Sequence, residues 1–146
     1  MVKARVLFLC TGNTARSQMA EALLKRYTGD RFEIRSAGLE PGVLHPLTRR
    51  VMAEIGIDTA SQYAKGLDQF LGKVEFDYLI TVCDKAARNC PFFPGAGIRL
   101  AWSFEDPAAL AASGDEAAAL AKFRQVRDQI DARIQAWLRE QGILTR

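Results

Sequence analysis

The sequence contains a single histidine, His45, and no Cys-x-x-Cys pair. Structural zinc sites draw four nitrogen or sulfur ligands from closely spaced pairs, so no zinc centre or other resident metal is expected. No apolar run approaches the roughly 20 residues that span a bilayer, which argues against a membrane partner. The start, Met-Val-Lys-Ala-Arg, runs straight into a strand-like segment and lacks the apolar core and cleavage site of a signal peptide. These absences predict a cytoplasmic protein. A net charge of +3, with no basic stripe interleaved with aromatics, gives no ground for a nucleic-acid partner. Three cysteines make an odd number that a disulfide scaffold does not favour, so packing, metal binding or chemistry must account for them. There is no internal repeat, low-complexity tract or linker, and residues 1–146 are read as one domain around one hydrophobic core.

Several apolar patterns stand against these absences. Residues 5–10 (RVLFLC) form a short continuous apolar run, read as a strand buried on both faces. Residues 17–27 follow as a helix, with Met19, Leu23 and Tyr27 at four-residue spacing on one face. A second strand is expected at 32–37. Pro46 suits the first turn of a second helix, where Leu47, Val51 and Ile55 repeat the spacing and Gly56 ends it. Residues 76–82 (FDYLITV) and 98–102 supply the third and fourth strands. In the last helix Ser113 and Glu116 fit a capping box, ahead of an apolar stripe through Phe123, Val126, Ile130, Ile134 and Trp137.

Strands alternating with helices imply an α/β fold, a flavodoxin-like four-stranded parallel sheet in the order 2-1-3-4 with helices on both faces. In that order the winding reverses between the first and third strands, and ligands bind beyond the strand carboxyl ends at such a switch point. Cys10 ends the first strand and Cys83 directly follows the third, so both fall at the expected crevice.

The loop between the first strand and helix, Cys10-Thr11-Gly12-Asn13-Thr14-Ala15-Arg16-Ser17, has the composition of an anion cradle. Backbone N–H groups from such a loop and a free helix N-terminus converge on one point and favour negative charge. Gly12 permits close approach, and Asn13 tolerates a left-handed backbone. Arg16 can reach back with a planar fork matching two oxygens of a tetrahedral oxyanion. The same field favours the thiolate of Cys10, and Ser17 can donate a further hydrogen bond to it. The bland alternative makes Cys10 a buried strand residue and Arg16 a solvated helix residue.

The segment CTGNTARSQMAEALL resembles the phosphate-binding loop and first helix of the low-molecular-weight tyrosine phosphatase superfamily. Within it, the chain is similar to the thioredoxin-coupled arsenate reductases. The likeness extends to Ser36-Ala37-Gly38, to VMAEIGID at 51–58, to TVCDKAARNCPFFPG at 81–95, and to the stretch from Trp102 to Pro107. It implies the low-molecular-weight phosphatase fold and an enzyme that reduces arsenate, with phosphate or sulfate as competing oxyanions, no bound cofactor, and electrons supplied by thioredoxin.

Cys83 and Cys90 are seven positions apart. On a helix their Cα atoms would sit about 10 Å apart, beyond the roughly 7 Å a disulfide allows, so that pair closes only if the helix unwinds. Cys10 and Cys83 end neighbouring strands about 4.8 Å apart and can close with a loop adjustment. The resemblance implies the corresponding relay, in which Cys10 attacks arsenate, Cys83 attacks Cys10, and Cys90 attacks Cys83. Two small buried hydrophobes remain the alternative reading of Cys83 and Cys90.

Asp106-Pro107 follows the fourth strand. The resemblance makes Asp106 the general acid for the departing oxygen, although Asp before Pro is also a good helix cap. Asn13, Glu21 and Ser36 match positions that some relatives use to hold potassium, beside an aspartate where this chain has Lys65. The Lys65 ammonium is therefore expected in place of the cation. His45, in a loop before Pro46, is expected to do nothing specific. Two rivals remain: a phosphotyrosine phosphatase, which needs Cys10, Arg16 and Asp106 but neither Cys83 nor Cys90, and a non-enzymatic redox sensor. Ala108, Ala109 and Gln18 disfavour the phosphatase, and a retained Asp106 disfavours the sensor. A glutaredoxin-like reductant remains open beside thioredoxin.

Overall fold

The computed structural model describes residues 3–89 and 96–144. Four parallel strands, β1 (Ala4–Cys10), β2 (Phe32–Gly38), β3 (Phe76–Thr81) and β4 (Ala96–Ala101), pair in the order β2-β1-β3-β4. The central strand is the apolar run: Val6, Leu7, Phe8 and Leu9 are all 0% exposed. Successive side chains of a strand point to opposite faces, so burial of all four means that both faces of the sheet are covered. The edge strand β4 is more open, and Ile98 is exposed.

Helices α1 (Arg16–Thr28), α2 (Pro46–Glu54), α3 (Asp84–Asn89), α4 (Ala108–Ala111) and α5 (Glu116–Glu140) fill the connections, with a 3₁₀ turn at Leu67–Gln69. Phe123, Val126, Ile130, Ile134 and Trp137 of α5 are buried as its spacing requires. Trp137 packs on Phe32, Tyr78 and Trp102, which lie on one face of the sheet. Met19 and Leu23 are buried on α1, while Tyr27 reaches out to donate to Asp131 Oδ1 on α5 at 2.5 Å. Gly56, at φ +81°, stops α2: its N–H reaches Ala53 O and the Ile57 N–H reaches Met52 O. This is the left-handed exit that favours glycine.

Two helix starts differ from expectation. Asp115, not Ser113, caps α5, accepting the Ala118 N–H at 3.0 Å, and Ser113 Oγ instead donates to Leu110 O. Three residues of turn between α4 and α5 bring Ser113 to the end of the earlier helix, which a spacing rule cannot see. His45 is not idle: its Nδ1 accepts the Leu47 N–H at 3.0 Å and caps α2, while its ring lies 4.8 Å from that of Phe123.

Candidate active site

The connection from β1 to α1 lies at the carboxyl end of the sheet, beside the β1–β3 switch point, as expected. Its carbonyls are drawn outward. Those of Cys10, Thr11, Gly12 and Thr14 accept the N–H groups of Leu39, Glu40, Gly42 and His45 at 2.8–3.0 Å. Thr14 O accepts the Thr48 hydroxyl as well. With its carbonyls held on the outside, the loop presents N–H groups inward. Those of Gly12, Thr14 and Ala15 donate to no protein acceptor among the described residues. Asn13 adopts φ +55°, the sole positive value at a non-glycine among the described residues. The cradle is closed from behind by Gly38, where a Cβ would stand 2.7 Å from Thr11 O and 2.9 Å from Asn13 N.

The Cys10 thiol lies at the floor of this cradle, 2% exposed. Its sulfur accepts the Asn13 N–H at 3.2 Å and lies 2.9 Å from Ser17 Oγ, which in turn accepts from Asn13 Nδ2 at 2.7 Å. Two groups, the Asn13 N–H and the Ser17 hydroxyl, thus meet the sulfur beside the start of α1.

Arg16 is the first residue of α1. Its Nη1 donates to Phe104 O at 3.1 Å and its Nη2 lies 3.7 Å from Asp106 Oδ2. The other Asp106 oxygen accepts the Ala108 N–H at 3.0 Å, ahead of α4. One Asp106 oxygen thus tethers the Ala108 N–H, and the other, with the side chain half exposed, faces the arginine.

Cys83 is buried and free, as Cys10 is. It sits just before α3, its sulfur accepting the Ala86 N–H at 3.3 Å and lying 3.4 Å from Thr11 Oγ1. Residues 84–89 are helical, as the spacing argument supposed, and Cys90 lies outside the described residues. Lys85 is exposed, as is Arg88.

Beneath the loop, Lys65 Nζ lies 2.9 Å from Tyr63 O, 3.4 Å from Ser36 Oγ and 3.8 Å from Glu21 Oε1. Ser36 Oγ donates to Glu21 Oε1 at 2.5 Å, and Lys25 pairs with Glu21 Oε2 at 2.7 Å. The Lys65 backbone N–H donates to Asn13 Oδ1 at 2.8 Å, so this layer grips the loop directly. Burial lowers the Lys65 ammonium from its ordinary value, and the Glu21 charge opposes that shift. The residues do not fit a potassium ion here, because the ammonium fills the space between the oxygens that would ligate it. Among the described residues no group of three His, Cys, Asp or Glu side chains is placed to hold a metal.

Sequence reading missed several contributors. Gln18 is 1% exposed and bonds to Asn13 and Tyr63; Gln62 bonds to Gln18; Phe104 offers a carbonyl; and Gly38 backs the loop. A buried glutamine inside an otherwise apolar helix face was the available signal for the first. The others act through backbone or through distant contacts and left none.

A parallel α/β sheet with an oxyanion cradle at its switch point and a thiol on the cradle floor is the architecture of a thiol enzyme that acts on oxyanions. The chain belongs to the low molecular weight phosphotyrosine protein phosphatase family, whose pattern matches residues 5–143. It is 42% identical over 137 residues to an arsenate reductase of Halalkalibacterium halodurans, covering 94% of this chain and 96% of that one. Among solved structures, an arsenate reductase in a phosphate-binding state matches with a TM-score of 0.77 at 28% identity, over 94% of this chain and 98% of that one. A thioredoxin-dependent arsenate reductase of Corynebacterium glutamicum matches at 0.72 and 32% identity, over 94% of this chain and 61% of that one.

Proposed function

We propose that this protein reduces arsenate to arsenite, with Cys10 as nucleophile and a Cys10–Cys83–Cys90 disulfide relay regenerated by thioredoxin. The observation that carries the reading is the Cys10 sulfur held by Ser17 Oγ and the Asn13 N–H, with the hydroxyl of the next residue, Thr11, against the Cys83 sulfur. The Cys10 thiolate attacks arsenic, a sulfur–arsenic bond forms, and an oxygen leaves as water with the proton that Asp106 supplies. Thr11 to Ser17 and the Arg16 fork hold the remaining oxygens. Cys83 then attacks the Cys10 sulfur, the sulfur–arsenic bond breaks, and its electron pair stays on arsenic, which leaves as arsenite. The Cys10–Cys83 disulfide passes to Cys83–Cys90 by attack of Cys90, freeing Cys10. Thioredoxin dithiol reduces the last bond by exchange.

Support for the substrate comes from the arsenate reductases at high coverage, and for the electron donor from the thioredoxin-dependent relative. Asn13, Glu21, Ser36 and Lys65 are supporting residues in this reading, the ammonium standing in the place of a cation. We assign the activity to residues 1–146 as one cytoplasmic domain without resident cofactor, metal, nucleic-acid or membrane partner, with phosphate and sulfate competing for the cradle. Among the described residues no helix is long and apolar enough to cross a membrane.

The test supplies purified protein with arsenate, thioredoxin, thioredoxin reductase and NADPH, and follows NADPH loss. Turnover in the parent and none in Cys83→Ser or Cys90→Ser is expected. Absent turnover with Cys10-dependent hydrolysis of an aryl phosphate would make the protein a phosphatase and leave Cys83 and Cys90 as bystanders.

A further inference from the structure

The hydrogen bond between Ser17 Oγ and Cys10 Sγ helps a thiolate if the serine donates it, and the two atoms alone do not say which one does. The direction is set elsewhere. Gln18 Nε2 faces two backbone carbonyls, Tyr63 O at 2.7 Å and Asn13 O at 3.2 Å. Carbonyl oxygens cannot donate, so the nitrogen end of the Gln18 amide is fixed there. That same nitrogen lies 2.9 Å from Asn13 Oδ1, which also accepts the Lys65 backbone N–H at 2.8 Å.

With its oxygen end taken by two donors, the Asn13 amide must offer Nδ2 to Ser17 Oγ, at 2.7 Å. A serine oxygen that accepts in this way has its own proton free for the sulfur. At the outer end the chain is consistent too: Gln18 Oε1 accepts Gln62 Nε2 at 2.8 Å. Every amide along Gln62, Gln18 and Asn13 donates in the same direction, toward the Ser17 hydroxyl and Cys10. Asn13 and Ser17 are fully buried and Gln18 is 1% exposed, so water does not compete for these groups.

We propose that Gln18 is a positioning residue which, through Asn13, makes Ser17 a donor to the Cys10 thiolate; this rests on the reading of Cys10 as nucleophile. Gln18 touches neither sulfur nor oxyanion, and its effect runs along the polarity of the chain. An apolar side chain of equal length would keep the packing of α1 and drop one of the two donors that hold Asn13 Oδ1. A carboxylate there would set oxygen against the Asn13 and Tyr63 oxygens and press the Asn13 amide to turn over.

The experiment measures iodoacetamide alkylation of Cys10 in a Cys83→Ser, Cys90→Ser background, so that one thiol reacts. In Gln18→Met the rate at neutral pH is expected to fall about fivefold to tenfold, the size of one ordinary hydrogen bond. In strong alkali, where the thiolate forms without help, the rate should match the parent within about twofold. In arsenate turnover with Cys83 and Cys90 restored, kcat should fall by a similar factor while KM holds. The decisive comparison is the double-mutant cycle: with Ser17→Ala present, Gln18→Met should add less than about twofold, because the path through Ser17 is already cut.

Should Gln18→Met fail to fold, Gln18→Glu, which keeps the side-chain shape, is read by the same cycle. Equal neutral-pH rates in parent and variant, a parallel loss at both pH values, or a full additional loss on top of Ser17→Ala would each overturn the role. Alkylation uses no arsenate, so failure of the reductase reading shows separately, as missing turnover in the parent.

Discussion

Thr11 Oγ1 lies 3.4 Å from Cys83 Sγ, so the residue after Cys10 touches the thiol that follows β3. The contact crosses the switch point, where β1 and β3 are hydrogen-bonded neighbours running in parallel. The proposed Cys10–Cys83 disulfide would form beside this contact. By contrast, Cys83 is tied to the start of α3 through the Ala86 N–H, and residues 84–89 are helical. By the spacing argument from the sequence, closing Cys83 onto Cys90 is expected to undo that helix. Amide hydrogen exchange is expected to be slow across 84–89 in the reduced protein and fast in the oxidised Cys83–Cys90 form. Identical exchange in both forms would sink the last relay step.

The two roles of Asp106 separate in Asp106→Asn. Asparagine accepts the Ala108 N–H as well as aspartate does, so stability should change by less than about 0.5 kcal/mol. It cannot deliver a proton, and kcat is expected to drop by about 10²-fold or more. Normal turnover in the variant would mean that tethering the helix start was the whole of its work.

Gly38 answers to packing. A methyl group there would stand 2.7–2.9 Å from backbone atoms of Thr11, Gly12 and Asn13, which cannot yield as a flexible side chain would. Gly38→Ala is expected to cost about 1–3 kcal/mol and to weaken phosphate binding, read by calorimetry, because the cradle itself must shift. Unchanged phosphate affinity would show that the loop has slack its hydrogen bonds do not suggest.

His45 makes stability acid-sensitive. Burial lowers its pKa from the ordinary 6.5, with Asp106 pulling the other way. Its neutral Nδ1 accepts the Leu47 N–H, a bond that protonation removes. The unfolded chain therefore takes up this proton first as pH falls. The contribution is complete above 6.5 and is lost as pH drops through the lower folded value. His45→Asn keeps a capping acceptor and removes the titration. Urea melts should show the variant losing less stability than the parent between neutral pH and about pH 5, by up to about 1 kcal/mol.

Lys65 predicts indifference to potassium. With its ammonium between Glu21, Ser36 and Tyr63 O, exchanging sodium for potassium at constant ionic strength should leave kcat and KM unchanged. Lys65→Met removes the cation facing the buried Glu21 carboxylate and is expected to cost about 1–3 kcal/mol. Potassium stimulation of the parent would rule out the ammonium as a stand-in.

Much of this was legible from the chain. Continuous apolar runs at 5–10 and 76–82 can be satisfied by burial on both faces, and helix spacing between them forces parallel strands. Cys10, Gly12, Asn13 and Arg16 between such a strand and a helix read as an anion cradle, against the bland alternative of a buried strand cysteine and a solvated arginine. Helix starts were read less well. Asp115 and Ser113 are chemically equivalent caps, and the turn between α4 and α5 chose between them. His45 became a cap because its ring could lean on Phe123, far away in sequence.

By itself, then, the sequence determined the strand order, the crevice, and the residues whose chemistry is intrinsic: a thiol, a guanidinium, a carboxylate. Those choices rest on local pattern and side-chain type, which the chain carries residue by residue. Tertiary structure decided which way each group acts. Loop carbonyls turn outward because residues 39–45 are there to receive them. Asn13 points its nitrogen at Ser17 because Gln18 and the Lys65 backbone hold its oxygen. Direction in a hydrogen-bond chain depends on partners distant in sequence, and folding is what brings them together.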